Sequence, residues 1–137
     1  MVTRVLDTSV VVKWFFNEEG TDRAEALLAE LLDGSARIQV PSSLFYEFAN
    51  AVWSRRNSSF KEQQARMLWA ELESFPLLIT DWSELLPEAL AFAIQHEVTV
   101  YDAVFVVLAK QLGSELITAD GVLWDKVAGD CSWVKML

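Results

Sequence analysis

The chain is poor in the residues that most enzymes use for acid–base and thiol chemistry. Its 137 residues include one histidine, His96, and one cysteine, Cys131. A mechanism needing both a histidine acid and a histidine base is therefore excluded. A lone cysteine forms no internal disulfide, which fits a reducing compartment. A Cys131–His96 dyad is arithmetically possible, but isolated Cys and His more often serve packing or surface roles. No Cys/His set has zinc spacing, and neither a Gly-rich phosphate loop nor a G-x-S-x-G elbow is present. Basic residues are also scarce: 11 Lys and Arg against 20 Asp and Glu give a net charge of −9. That balance argues against holding nucleic acid on a broad basic surface, which needs clustered Lys and Arg to displace counterions. The longest apolar run, Ala103–Ala109, is far short of a membrane span. The opening residues lack a basic stretch followed by a long apolar one, so no signal peptide is read. A cytoplasmic protein without a membrane partner is expected.

Apolar surface and acid are what the chain has in excess. Apolar residues make up 53%, with six Trp and eight Phe, which excludes disorder and exceeds the usual globular share on a like-for-like count. The length suggests one domain over residues 1–137, and the apolar surplus suggests that some surface is reserved for a partner. Short apolar runs alternate with helical patterns. Thr3–Leu6, Arg37–Val40, Leu77–Ile79, Leu116–Thr118 and Trp133–Lys135 read as strands. Asp22–Asp33, Leu44–Ser54, Lys61–Glu73, Glu84–Gln95, Val100–Leu112 and Val122–Val127 read as helices. Val104–Val107 alone would suit a strand, but the length of the run and the Gly113 ending decide for a helix. The alternation predicts an α/β fold, a parallel sheet of five strands with helices on both faces.

Right-handed βαβ connections bring helix N-termini to the edge where strands end, the edge at which open α/β sheets bind ligands. Asp7 follows the first strand, and Glu47 sits one turn into the helix after the second. Asp102 lies in the first turn of the helix leading to the fourth strand, and Asp120 follows that strand. All four acids are therefore expected at one edge. Each has a plainer role available: Asp7-Thr8-Ser9 as a capping turn, Asp102 with Thr99 as a capping box, Asp120 as an N-cap, Glu47 as a surface acid. The set is harder to explain that way. Glu47 lies among Phe45, Phe48 and Ala49, and Asp102 between Tyr101 and Ala103, stretches expected to be largely buried. Buried acids repel one another and cost energy without a partner. No Lys or Arg adjoins any of them in sequence, although Lys13 and Lys126 could fold back. All-oxygen ligation without Cys or His points to Mg²⁺ or Mn²⁺ rather than zinc.

Four segments carry a family resemblance: VLDTSVVVKWF from Val5, followed by Glu18-Glu19; VPSSLFYEFANAV from Val40; TVYDAVF from Thr99; and LITAD from Leu116. In this order and spacing the chain resembles PIN-domain proteins, and most closely the single-domain VapC toxins of prokaryotic toxin–antitoxin pairs. The resemblance covers essentially the whole chain. It implies a three-layer α/β/α PIN-like domain around a central parallel five-stranded sheet. It implies an endoribonuclease dependent on Mg²⁺ or Mn²⁺, with one or two ions per site, usually a homodimer, and blocked by a VapB-like antitoxin. Asp7, Glu47, Asp102 and Asp120 are then the catalytic and metal-binding acids. Thr8, Ser9 and Thr118 are supporting hydroxyls. Asp125 is a further acid that some members carry, and one that faces water if its helix starts near Gly121.

The chemistry so implied is hydrolysis of an RNA phosphodiester by metal-activated water, leaving 5′-phosphate ends. Two divalent ions would bring the charge of −9 to about −5 and make the pocket attract phosphate. Lys13, Arg55 and Arg56 are the candidate contacts to RNA. Phe60, Met67, Leu68, Trp69 and Leu72, with Trp14-Phe15-Phe16, are expected to form part of a dimer or antitoxin groove. Two other readings share the acid edge. One is a non-catalytic PIN-like binding module, and the other a receiver-type phosphoacceptor, for which Asp81 and Lys135 are poorly placed.

Overall fold

The computed structural model describes residues 1–137. Five strands, β1 (Val2–Leu6), β2 (Ala36–Pro41), β3 (Leu78–Thr80), β4 (Glu115–Thr118) and β5 (Val134–Met136), form one parallel sheet in the order β3-β2-β1-β4-β5. Seven α-helices connect them. These are α1 (Thr8–Val11, continued by a 3-10 turn Val12–Trp14), α2 (Thr21–Leu32), α3 (Ser43–Ser54), α4 (Glu62–Ser74), α5 (Leu86–His96), α6 (Val100–Leu112) and α7 (Gly121–Val127). The expected five-stranded parallel sheet and α/β architecture are therefore present.

Strand order fixes where a site can form. The chain moves outward from β1 through β2 to β3, returns across the sheet to β4, and continues to β5. Right-handed connections put α1 to α4 on one face and α5 to α7 on the other. The direction reverses between β1 and β4, so a crevice opens beyond the carboxyl ends of those two neighbours. The order also differs from the 2-1-3-4-5 arrangement of receiver-type sheets, which counts against the phosphoacceptor reading.

The elements follow from local sequence. β1 and β4 lie at the centre of the sheet, and Val5, Leu6, Leu116 and Ile117 are buried there. Helix α6 is buried at seven consecutive positions, Ala103 to Ala109. That is why its sequence shows no 3.6-residue polar rhythm and why Val104–Val107 resembles a strand. Thr99 caps it, and Gly113, at φ 63°, ends it. Strand β3 is shifted one residue from the expected run. Thr80 pairs opposite Pro41, and Gln39 Nε2 donates to the Thr80 hydroxyl at 2.8 Å. The helix expected from Glu84 starts only at Leu86, after a 3-10 turn over Trp82–Glu84 that Asp81 caps through the Ser83 amide. Pro87 is thereby in the first helical turn, where its missing N–H costs nothing.

Much of the aromatic surplus is spent internally. Phe15 packs edge-on against Phe48 (5.1 Å between centroids), Trp14 against Phe75 (5.6 Å) and Phe45 against Trp69 (6.0 Å). Phe16 lies against Phe60. This cluster joins the turn after α1 to α3 and α4. Trp14-Phe15-Phe16 are thus half-buried rather than an open groove, while Met67 remains exposed. Leu72 belongs to the single cluster of 29 buried apolar residues. No single helix is long and apolar enough to cross a membrane.

Candidate metal and phosphodiester site

Asp7 stands where β1 gives way to α1. Its backbone amide donates to the Ile117 carbonyl of β4 at 3.0 Å, so the chain is pinned at the switch point. The side chain makes no capping bond to α1. Instead its Oδ2 accepts from the hydroxyls of Thr118 (2.7 Å) and Ser9 (2.9 Å). Both hydroxyls are themselves held. The Asp120 amide donates to Thr118 Oγ1, and the Ala119 amide to Ser9 Oγ, each at 3.0 Å. The ends of β1 and β4 are therefore stitched through one carboxylate. Asp7 is 4% exposed. Burial raises its pKa, the Thr118 and Ser9 hydroxyls oppose this, and the charge of Asp120 adds to it.

The other three acids surround it from different elements. Asp120 does cap α7, its Oδ1 accepting from the amides of Val122 (3.0 Å) and Leu123 (3.2 Å). The plainer role and the site position coexist. Glu47 projects from α3 on one face of the sheet, and Asp102 from the first turn of α6 on the other. Burial, then the charges of Asp7 and Asp102, push Glu47 up to about 8, while the neighbouring Thr8 hydroxyl pulls the other way. Burial, then Asp7 and Asp120, raise Asp102 to about 6, while Lys126 pulls the other way. Lys126 does fold back as the sequence allowed, its Nζ donating to the Glu97 carbonyl at 2.8 Å. Glu47 is no surface acid: its Oε2 is buried with no hydrogen-bond partner, as are the hydroxyls of Thr8 and Ser43. Burial around the acids is patchier than expected, however. Tyr46 and Tyr101, each next to an acid in sequence, are 82% and 71% exposed.

These observations test whether a divalent cation suits the site. A buried carboxylate oxygen and a buried hydroxyl without partners, beside acids whose charges disfavour one another around Asp7 and Asp102, form a hard-oxygen set that a divalent cation would satisfy. As arranged, no three of the acids converge closely enough to grip one ion. Asp125 lies outside the set, exposed on α7, which does begin at Gly121. Cys131 and His96 form no pair: the cysteine is buried, and the histidine stacks on Phe92 and faces Asp130.

A groove of about 1140 Å³ runs from Thr8 and Glu47 along α3 to Arg55, with Trp82, Leu86 and Tyr101 on its other side. Of the three basic residues expected to meet substrate, only Arg55 lines it. Lys13 is half-buried against Glu18. Arg56 stacks on Trp53, 4.0 Å from the ring centroid, and lines a separate cleft of about 690 Å³ between α3 and α4. Sequence reasoning gave no site role to Ser43, Tyr46 or Trp82, nor to Glu18, which it noted only within the segment carrying the resemblance. Adjacency to Glu47 could have flagged Tyr46, whereas Glu18 meets Arg55 across 37 residues without any local signal.

The chain is 32% identical over 125 residues to Ribonuclease VapC3 of Pyrobaculum aerophilum, covering 89% of this chain and 92% of that one. Its fold is similar to that in the crystal structure of VapBC2 from Rickettsia felis bound to a promoter DNA fragment. That match has a TM-score of 0.67 and 15% identity over 99% of both chains. VapBC-5 of Mycobacterium tuberculosis matches with a TM-score of 0.60 and 16% identity, over 100% of this chain and 98% of that one. The PIN domain family model matches residues 4–130. With the full-length relationship to VapC3, this establishes that the chain belongs to the PIN domain family.

Proposed function

We propose that residues 1–137 act as one unit, the toxin ribonuclease of a toxin–antitoxin pair, hydrolysing RNA phosphodiesters with Mg²⁺ or Mn²⁺. The observation that carries this reading is the gathering of Asp7, Glu47, Asp102 and Asp120 around the switch point of a PIN-family sheet. Asp7, Asp102 and Asp120 would be the principal holders of one or two cations, drawing closer together than they now stand, with Glu47 completing the set. When bound, the ion supplies Lewis acidity toward water and the scissile phosphate.

The chain's own groups do the positioning. Ser9 and Thr118 fix one oxygen of Asp7, so that carboxylate cannot rotate away. Thr118 spends its proton on Asp7 and takes the Asp120 amide, and so couples the two acids that end neighbouring strands. Thr8 and Glu47 bring buried oxygens without partners to the head of the groove. Arg55 stands further along the same groove as a phosphate contact. Lys13 contributes through Glu18 rather than by direct contact, and Asp125 is left to solvent.

A VapB-like antitoxin and a homodimer belong to the same reading. The cleft lined by Ala49, Val52, Trp53, Phe60 and Ala65, with Arg56 and Lys61 at its rim, suits the apolar face of a partner helix. A cytoplasmic location follows from the same reading.

The test is to purify Asp7→Asn and Asp102→Asn and assay RNA cleavage with Mg²⁺. Both are expected to lose most turnover while products of the wild-type protein carry 5′-phosphate ends. Wild-type rates in both variants would overturn the assignment.

A further inference from the structure

One acid outside the quartet has opposite electrostatics. Glu18 lies in the turn before α2, and two cations converge on it, Lys13 from five residues upstream and Arg55 from the end of α3. Arg55 donates to Glu18 Oε1 through Nε (2.9 Å) and Nη2 (2.7 Å), and Lys13 Nζ lies 3.4 Å from Oε2. The turn itself is fixed. The Glu18 amide donates to Thr21 Oγ1 at 2.9 Å, and that hydroxyl donates to the Phe16 carbonyl at 3.2 Å. Gly20 closes the turn at φ 85°, a conformation that side chains rarely adopt.

Arg55 is the only cation lining the groove that contains Glu47 and Thr8. Its Nη1 donates to the Ala51 carbonyl at 3.0 Å, and its guanidinium sits 5.2 Å from the Phe16 ring centroid. Three of five guanidinium N–H groups are thus committed to the protein, leaving two unused. A loose arginine loses rotamer entropy on gripping a phosphate, whereas a held one does not. The trio carries a net charge of +1, so fixing Arg55 leaves a positive charge at the groove.

We infer that Glu18 is a positioning residue that presents Arg55 to a phosphate of a single-stranded RNA lying along the groove, away from the bond that is cut. The inference rests on the ribonuclease reading and deepens it by naming what orients the substrate. Lys13 balances the carboxylate's second oxygen, so Glu18 need not rotate away from Arg55.

The experiment uses the full chain with Mg²⁺ and a short fluorescent single-stranded RNA. It measures kcat, KM and, at an ion concentration too low for turnover, the Kd of the oligonucleotide. Glu18→Gln is expected to raise KM and Kd about five- to tenfold, with kcat within about twofold of wild type. Glu18→Asp should recover part of that loss. On an Arg55→Ala background, Glu18→Gln should add nothing further. An unchanged KM and Kd in Glu18→Gln would overturn the inference. So would an equal extra loss on the Arg55→Ala background, or a fall in kcat that tracks lost thermal stability. Failure of the ribonuclease reading looks different: the wild-type protein binds the oligonucleotide without cutting it, and the Glu18 effect is then read from Kd alone. A wild-type protein that neither binds nor cuts overturns both.

Discussion

Two carboxylate neighbourhoods in this molecule obey the same physics with opposite outcomes. Around Asp7, Glu47 and Asp102, burial and like charge combine to favour the protonated forms, with Lys126 the one cation opposing them. At Glu18 burial also pushes upward, but the hydrogen bond and charge of Arg55, then Lys13, outweigh it and hold the pKa low. The first neighbourhood is costly to the folded chain alone, the second stabilises it. The difference identifies where electrostatic tension is stored and where it has been resolved internally. Stored tension is available to a ligand of positive charge.

The largest contrast is expected at Glu47. Glu47→Gln should cut RNA cleavage by about tenfold or more, comparable to losing a metal-site partner. The same change should raise the Tm of the chelator-treated protein at pH 8 by about 2–5 °C, because it removes a buried charge without a partner. A variant that lost activity and stability together would make Glu47 a structural acid and erase the contrast.

Next is the response to pH, measured as Tm in chelator between pH 4.5 and 8.5. Glu47 at about 8 and Asp102 at about 6 both exceed their unfolded values of 4.5 and 3.8. Over that interval the folded chain binds more protons than the unfolded one, so stability falls as pH rises, with the penalty complete above pH 8. Mg²⁺ should flatten the slope. Glu18 runs the other way: its contribution is present above about pH 4.5 and is lost as pH falls through its depressed folded value. A flat profile in chelator would remove the distinction between the neighbourhoods.

The smallest effect is expected at Glu62, which pairs with Arg66 one turn along α4 at 2.7 Å, both side chains 78% exposed. Glu62→Gln should shift Tm by less than about 2 °C, since solvent screens such pairs. A larger shift would show that exposure does not separate consequential pairs from incidental ones.

The legibility of the molecule follows the range of its interactions. Strand–helix alternation and the punctuation by Gly113, Pro41 and Pro87 are local signals, and they yielded the α/β sheet. Asp7, Glu47, Asp102 and Asp120 were legible because each follows a strand or opens a helix, so topology alone brings them to one edge. Register was less legible: β3 is offset by one residue because Thr80 answers to Pro41 and Gln39, partners about forty residues away. The aromatic residues after α1 looked like spare surface because Phe48, Phe60 and Phe75, which half-cover them, come from α3, the loop before α4 and the turn after α4. Glu18 stood within the segment that carries the resemblance, but its pairing with Arg55, 37 residues away, was illegible for the same reason.

Helix α6 carries Asp102 in its first turn and is then buried for seven consecutive residues. An ordinary surface helix has a solvent side on which substitutions pass unnoticed, and this one has none along that stretch. The angle of Asp102 cannot be retuned from within that stretch without disturbing packing on every side of the helix at once. Substitutions that reshape the groove without touching the interior are therefore better placed on its opposite bank. Tyr46 and Asn50 stand exposed there, and their replacement leaves the interior intact.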